Sequence, residues 1–303
     1  MTNTARVSVP GTTANCGPGF DAVGIACTIY NDLELTLNST NQLTIDIVGE
    51  GREFIPTNEQ NVVWQAIKMV LDRTGIKYQG AHIKMVNNVP LARGLGSSAA
   101  AIVAGLVAAN AVTGESMTKQ ELFELATEIE GHPDNVAPAI FGGITLSVLN
   151  KGRAQCLSFM PPAKLTMVVA VPEFTLATSA SRNVLPKEVP YKDAVFNISR
   201  TALLVGALTQ GEFGHLQCAL EDRIHQPYRQ QLIPGLQDVF RAAKEAGALG
   251  SAISGAGPCL ISFANQNEEQ IGQAMVSAFN TNGIRAKYLL LNIDNQGARV
   301  VGQ

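Results

Sequence analysis

The run PLARGLGSSAAA at residues 90–101 sets two glycines two apart, followed by two serines and a stretch of alanines. Gly94 and Gly96 let the chain bend and approach a ligand with no Cβ in the way. Ser97 and Ser98 fall where a helix begins, so unpaired backbone N–H groups and the positive helix end face the loop. That combination is an anion site, and phosphate is the anion most often held this way. The candidate cradle comprises Pro90, Leu91, Ala92, Arg93, Gly94, Leu95, Gly96, Ser97, Ser98, Ala99 and Ala100. It is not a P-loop, because no lysine stands between residues 85 and 118. Gly94-x-Gly96-x-x-Ala99 has the form of a dinucleotide fingerprint. Pro90 separates it from the preceding strand, however, and the chain near Glu115 links two helices instead of closing a second strand.

The elements that must position this loop follow from periodicity. Residues 6–9, 25–37 and 43–48 read as strands, the last with Leu43, Ile45 and Ile47 at period two. Asn58 opens a helix that carries Val62, Val63, Ala66, Ile67 and Val70 on one face and ends at Gly75. A strand over residues 81–89 feeds the loop, and an alanine-rich helix leaves it and runs to about Val112. A helix over residues 118–130 precedes Gly131-His132-Pro133-Asp134-Asn135, a short helix and a strand over residues 144–149. Beyond the hinge at Pro161-Pro162 come a buried strand (165–171), helices (193–208, 235–246, 268–279) and strands (251–254, 259–263, 285–292). The order is mixed instead of strictly alternating, so an α+β fold in two domains, 1–160 and 161–303, is expected.

At 303 residues the chain exceeds one compact core, which supports two domains. A net charge of −3 and no run of five basic residues argue against a nucleic-acid partner. The five cysteines are scattered with no C-x-x-C pair, as expected of buried filler in a reducing compartment. The start MTNTARVSVPG has no apolar core of a signal peptide, and no apolar run approaches the ~20 residues of a membrane span. A cytoplasmic protein without membrane contact is expected.

Three segments then carry a resemblance. PLARGLGSSAAA resembles the second motif of the GHMP kinase superfamily (galactokinase, homoserine kinase, mevalonate kinase and phosphomevalonate kinase). VSVPGTTANCGPGFDAVGIA at residues 7–26 resembles its first motif, and ISGAGPCL at residues 253–260 its third, in the superfamily's order along the chain. ANCGPGFD (14–21), EGHPDNVAP (130–138), Thr178 with Arg182, and DRIHQPYR (222–229) are similar to the homoserine kinase branch. The resemblance implies a ribosomal protein S5 domain 2-like N-terminal domain and a ferredoxin-like C-terminal domain with the active site between them.

It also implies a reaction, transfer of the γ-phosphoryl group of ATP to the hydroxyl of L-homoserine with Mg2+. A homodimer is compatible with it. On the resemblance, Ser98 and Glu124 match metal ligands, with Glu128 the next candidate on the same helix. Arg182 and Arg223 match carboxylate-binding arginines, Asp21 the partner of the ammonium group, and Asn15 that of the reacting hydroxyl. His132 and Thr178 match further substrate contacts, and Gly255 and Gly257 bring the third motif near the phosphates. Asn135 stands where several superfamily members carry a catalytic aspartate. An amide cannot take a proton, so the expectation is direct attack by the hydroxyl, with Asn135 and Asn15 orienting the reactants. Asp134, the rival base, is expected to face away and to cap the short helix. The alternatives left open are a mevalonate kinase-like enzyme and a non-catalytic sensor on the same fold.

Overall fold

The structure, a computed structural model, describes residues 4–302. Met1–Asn3, part of the start read above for a leader, lie outside the described residues. Two sheets carry the fold. In the first, strands β1 (Thr4–Ala14), β2 (Val23–Asn38), β3 (Leu43–Gly49), β4 (Gly80–Asn87) and β11 (Arg299–Gly302) run in the order β11-β1-β2-β4-β3. The hairpin β5 (Ile144–Asn150) and β6 (Arg153–Phe159) joins the N-terminal half of β2. Helices α1 (Val62–Thr74), α2 (Ser97–Val112), α3 (Lys119–Glu130) and α4 (Pro133–Phe141) pack with this sheet around one large core.

The second sheet is formed by β7 (Thr166–Pro172), β8 (Gly250–Ile253), β9 (Leu260–Ala264) and β10 (Ala286–Leu291) in the antiparallel order β10-β7-β9-β8. Counting its strands 1 to 4 gives 4-1-3-2, the ferredoxin-like arrangement expected. All seven residues of β7 are buried, with Val168 and Ala170 on one core and Met167, Val169 and Val171 on another, as period two dictates. The helices α5 (Thr178–Asn183), α6 (Tyr191–Gln210), α7 (Leu216–Ala219), α8 (Gln226–Arg229), α9 (Leu236–Glu245) and α10 (Glu268–Thr281) complete this half. A shared cluster joins Cys16, Ile25, Val89 and Leu95 to Met167, Val169 and Leu204, so the two halves are packed together across the site.

Local differences from the sequence reading have identifiable causes. Helix α1 is capped by Asn61, not Asn58: the Asn61 side chain accepts from Val63 N and donates to the Pro56 carbonyl, whereas Asn58 only closes a turn onto Gln60 N. Strands β6 and β11 were not expected. β6 is an edge strand with a ragged burial pattern, turned from β5 by Lys151 and Gly152 at φ 51° and 80°. Helix α2 is buried all round with no polar face, which is why its alanines and valines show no stripe. No helix among the described residues is long and apolar enough to cross a membrane.

Candidate active site

A cleft of about 220 Å³ lies where β1, α2, α4, α5, α8 and the β8–β9 hairpin converge. A bulge between Pro10 and Gly11 bends the end of β1 toward it. The following loop holds three non-glycine residues at positive φ: Asn15 (70°), Cys16 (43°) and Asp21 (56°). Such conformations persist only where the surroundings enforce them, and they concentrate at functional sites. Here the Asn15 amide enforces them. Its Oδ1 accepts from Asp21 N at 3.0 Å and its Nδ2 donates to the Gly255 carbonyl at 2.7 Å, tying the first motif to the third.

The glycine loop of residues 90–100 enters the cleft through Leu91, Ala92, Arg93, Gly94, Gly96, Ser97 and Ser98. Pro90, Leu95, Ala99 and Ala100 are buried behind it as core. The glycines serve a different need from the one expected. A Cβ on Gly94 (φ 83°) would stand 2.1 Å from the Ser254 carbonyl oxygen, and one on Gly96 (φ 66°) 1.9 Å from Thr12 Oγ1. Both make room for protein, so the loop is clamped between β1 and the β8–β9 hairpin. Gly96 is the N-cap of α2 and no side chain caps the helix, which leaves its first N–H groups to the cleft. Arg93 pins the loop to the second half by donating to the Pro172 and Glu173 carbonyls at 3.1 and 3.0 Å.

Ser98 Oγ donates to Glu130 Oε2 at 3.0 Å, and both residues line the cleft. Glu130 makes no ion pair among the described residues, and burial raises its pKa against the opposing pull of His132. The carboxylate expected at Glu124 is not in the cleft: it bonds Gln120 on the exposed flank of α3. Glu128 pairs with Arg73 at 3.6 Å, and Glu121 completes the capping box of α3 with Thr118. The last residue of α3, not its middle, carries the acid into the site.

On α4, His132 is the N-cap position, and Pro133 starts the helix without a free N–H. Asp134 therefore does not cap, contrary to expectation. It also does not face away: its carboxylate is 97% buried at the cleft edge, receiving His132 Nδ1 at 3.0 Å and Asn135 Nδ2 at 3.3 Å. In the first turn of so short a helix, adjacent residues both reach the cleft. The bond to Asp134 raises the His132 pKa.

At the other end, Thr178 and Arg182 reach the cleft from α5. Arg182 makes a bidentate pair with Asp21, at 2.7 and 3.1 Å, which raises its own pKa. The second arginine is Arg229, not Arg223. Arg223 points away from the cleft, pairs with Asp193 at 3.2 Å and lies over the Phe196 ring. Arg229 is 1% exposed and lines the cleft. Its partners are neutral: the Gly255 carbonyl at 2.9 Å, the Ser181 carbonyl at 3.3 Å and His225 Nδ1 at 3.3 Å. Burial, together with the nearby Arg182, lowers its pKa to about 10. Of these two guanidinium groups, only Arg182 is paired with a carboxylate, and Arg229 is a buried cation bonded only to neutral groups. From the third motif Gly255 and Ala256 line the cleft, while Gly257 turns the hairpin beneath it.

The chain matches the GHMP kinases N terminal domain over residues 61–143 and the GHMP kinases C terminal domain over residues 204–281. It is 44% identical over 292 residues to a homoserine kinase of Carboxydothermus hydrogenoformans, covering 96% of this chain and 95% of that one. The chain belongs to the homoserine kinase family of GHMP kinases. A homoserine kinase structure from Cytophaga hutchinsonii superposes with a TM-score of 0.90 at 32% identity, covering 99% of this chain and 98% of that one. The mevalonate kinase of L. major, crystallised with R-mevalonate, has a TM-score of 0.74 at 17% identity over 98% of each chain, which is likeness of fold alone. Arg229 and Glu130 were both inside motifs that carried the resemblance. Only the direction of their side chains was missing from the sequence.

Proposed function

We propose that this chain transfers the γ-phosphoryl group of ATP to the side-chain hydroxyl of L-homoserine, giving O-phospho-L-homoserine for threonine synthesis in the cytoplasm. The observation that carries this reading is Arg229, a buried guanidinium with no carboxylate partner. A buried charge left unpaired is costly, and the carboxylate of an amino-acid substrate supplies the missing partner, shared with Arg182. Asp21, now held by Arg182, is then available to the substrate ammonium. Mevalonate has a carboxylate but no ammonium and gives Asp21 nothing to bind.

The phosphates of ATP lie against the uncapped start of α2 and the main chain of residues 91–98. Ser98 and Glu130 fit Mg2+: a hard-oxygen pair, with a desolvated carboxylate that makes no ion pair, suits an ion that takes its remaining ligands from phosphate and water. When bound, the ion neutralises charge on the phosphates. Glu130 replaces Glu124 in this reading. The homoserine oxygen attacks the γ-phosphorus in line, the bond to the β-phosphate oxygen breaks, and the hydroxyl proton passes to the transferred group. No side-chain base acts in this reading: Asn135 cannot accept the proton, and Asp134 serves through Oδ1 as the anchor of His132 and Asn135.

ADP release measured with L-homoserine, 4-hydroxybutyrate and 3-aminopropan-1-ol tests the two-charge recognition. L-homoserine is expected to be turned over and both truncated alcohols to lose at least about a hundredfold in kcat/KM, as loss of a charge-assisted contact implies. Equal turnover of 4-hydroxybutyrate would remove Asp21 from recognition, and equal turnover of the amino alcohol would remove the arginines.

A further inference from the structure

Asn135 is held from both sides. Asp134 Oδ1 lies 3.3 Å from one amide atom, and an ionised carboxylate only accepts hydrogen bonds, so that atom is the NH2 nitrogen. The carbonyl oxygen therefore faces the other way, where Thr12 Oγ1 stands at 2.8 Å and must be the donor. Thr12 is fully buried and lies 123 residues away in sequence. Its backbone N–H donates to the Leu95 carbonyl at 3.0 Å, and its hydroxyl sits against Gly96, where only a glycine leaves room for it. Thr12 thus touches the phosphate loop with its main chain and Asn135 with its side chain, although it does not line the cleft itself. Thr13, the next residue on the strand, points to the opposite side and meets Ser254.

We propose that Thr12 is a positioning residue for phosphoryl transfer: its hydroxyl fixes the Asn135 amide so that the free N–H of Nδ2 is presented to the phosphoryl group beside the start of α2. The inference rests on the reading of the cleft given above, and it assigns Asn135 a direction. With Oδ1 engaged by Thr12, Asn135 acts as a donor to charge that develops on the transferred group, instead of as an acceptor of the substrate hydroxyl. Without the Thr12 hydroxyl, Oδ1 loses its partner and the amide is free to turn, which withdraws the donor. The absence of a side chain at Gly96 and the bulge between Pro10 and Gly11 both leave Thr12 at this point.

The test compares Thr12→Ser and Thr12→Val in steady-state turnover of L-homoserine, with Asn135→Ala alone and combined with Thr12→Val. Thr12→Val is expected to lower kcat by about tenfold to a hundredfold, with KM for both substrates within about threefold of the parent. Thr12→Ser, which keeps the hydroxyl, is expected to stay near the parent rate. In the Asn135→Ala background Thr12→Val is expected to cost nothing further, because the two residues act as one unit. A Thr12→Val enzyme with parental kcat, a Thr12→Ser enzyme as slow as Thr12→Val, or additive losses in the double variant would each overturn the proposal. Should Thr12→Val fail to fold, Thr12→Ala removes the same hydroxyl without a misplaced methyl. If the parent protein itself does not turn over L-homoserine, the functional reading fails, whereas an active parent with an indifferent Thr12 defeats this inference alone.

Discussion

The distinction between Arg223 and Arg229 shows how much a residue's neighbours decide. Both belong to the octapeptide DRIHQPYR, and type and spacing favour neither. The Asp222 carboxylate decides between them. It accepts from the backbone N–H groups of Ile224, His225 and Gln226, at 2.9, 3.0 and 2.6 Å, and so winds the segment into the turn that starts α8. That turn sends Arg229 inward and leaves Arg223 on the surface. Glu130 was hidden for a similar reason, because it ends a helix with three other glutamates that look equally available in the sequence. Arg229→Leu is expected to raise KM for L-homoserine by about a hundredfold, the loss of a charge-assisted bond in a buried site, while KM for ATP changes little. Arg223→Leu is expected to leave both within about twofold. A reversal of the two effects in steady-state kinetics would return the carboxylate to Arg223.

Elements were legible in the sequence where one face was buried and the other wet, or where a short run was apolar throughout. The amphipathic helices, the alternation of β3 and the apolar run of β7 were all read within a few residues of their observed ends. What escaped was set by tertiary contact: the cap of α1, the edge strand β6, and the return of β11 to β1. The turn at α8 has a property of its own that can be measured. His225 is fully buried between Phe20, Gly17 and Arg229, donating through Nε2 to the Gly17 carbonyl at 2.6 Å and accepting at Nδ1 from Arg229. Burial lowers its pKa, against the opposing pull of Asp222. The unfolded chain binds a proton near the ordinary histidine value of about 6.5 and the folded chain only at lower pH, so acidification below that value costs stability, by up to about 1.4 kcal/mol per pH unit. The melting temperature is therefore expected to fall between pH 7 and pH 5, and His225→Gln to flatten that fall. Parallel profiles for the two proteins would show that His225 does not contribute.

At the scale of the whole molecule, two sheets meet along a shared core, and every strained or glycine-dependent segment of the site lies on that seam. The first half brings the phosphate loop, Glu130, Asn135 and Asp21, and the second brings Arg182, Arg229 and the β8–β9 hairpin. Neither half alone supplies the whole lining of the cleft. The three motifs were readable because they occupy backbone positions that demand particular residues. Their mutual contacts, Asn15 to Gly255 and Thr12 to Asn135, span 240 and 123 residues and carry no local signature. The substrate proposed for this seam is a zwitterionic alcohol of the length of homoserine. The most direct measurement is ATP-dependent ADP release with L-homoserine, R-mevalonate and L-serine side by side. Turnover of L-homoserine far above the other two is the predicted result, and turnover of mevalonate without homoserine would contradict the account while leaving the GHMP kinase fold intact.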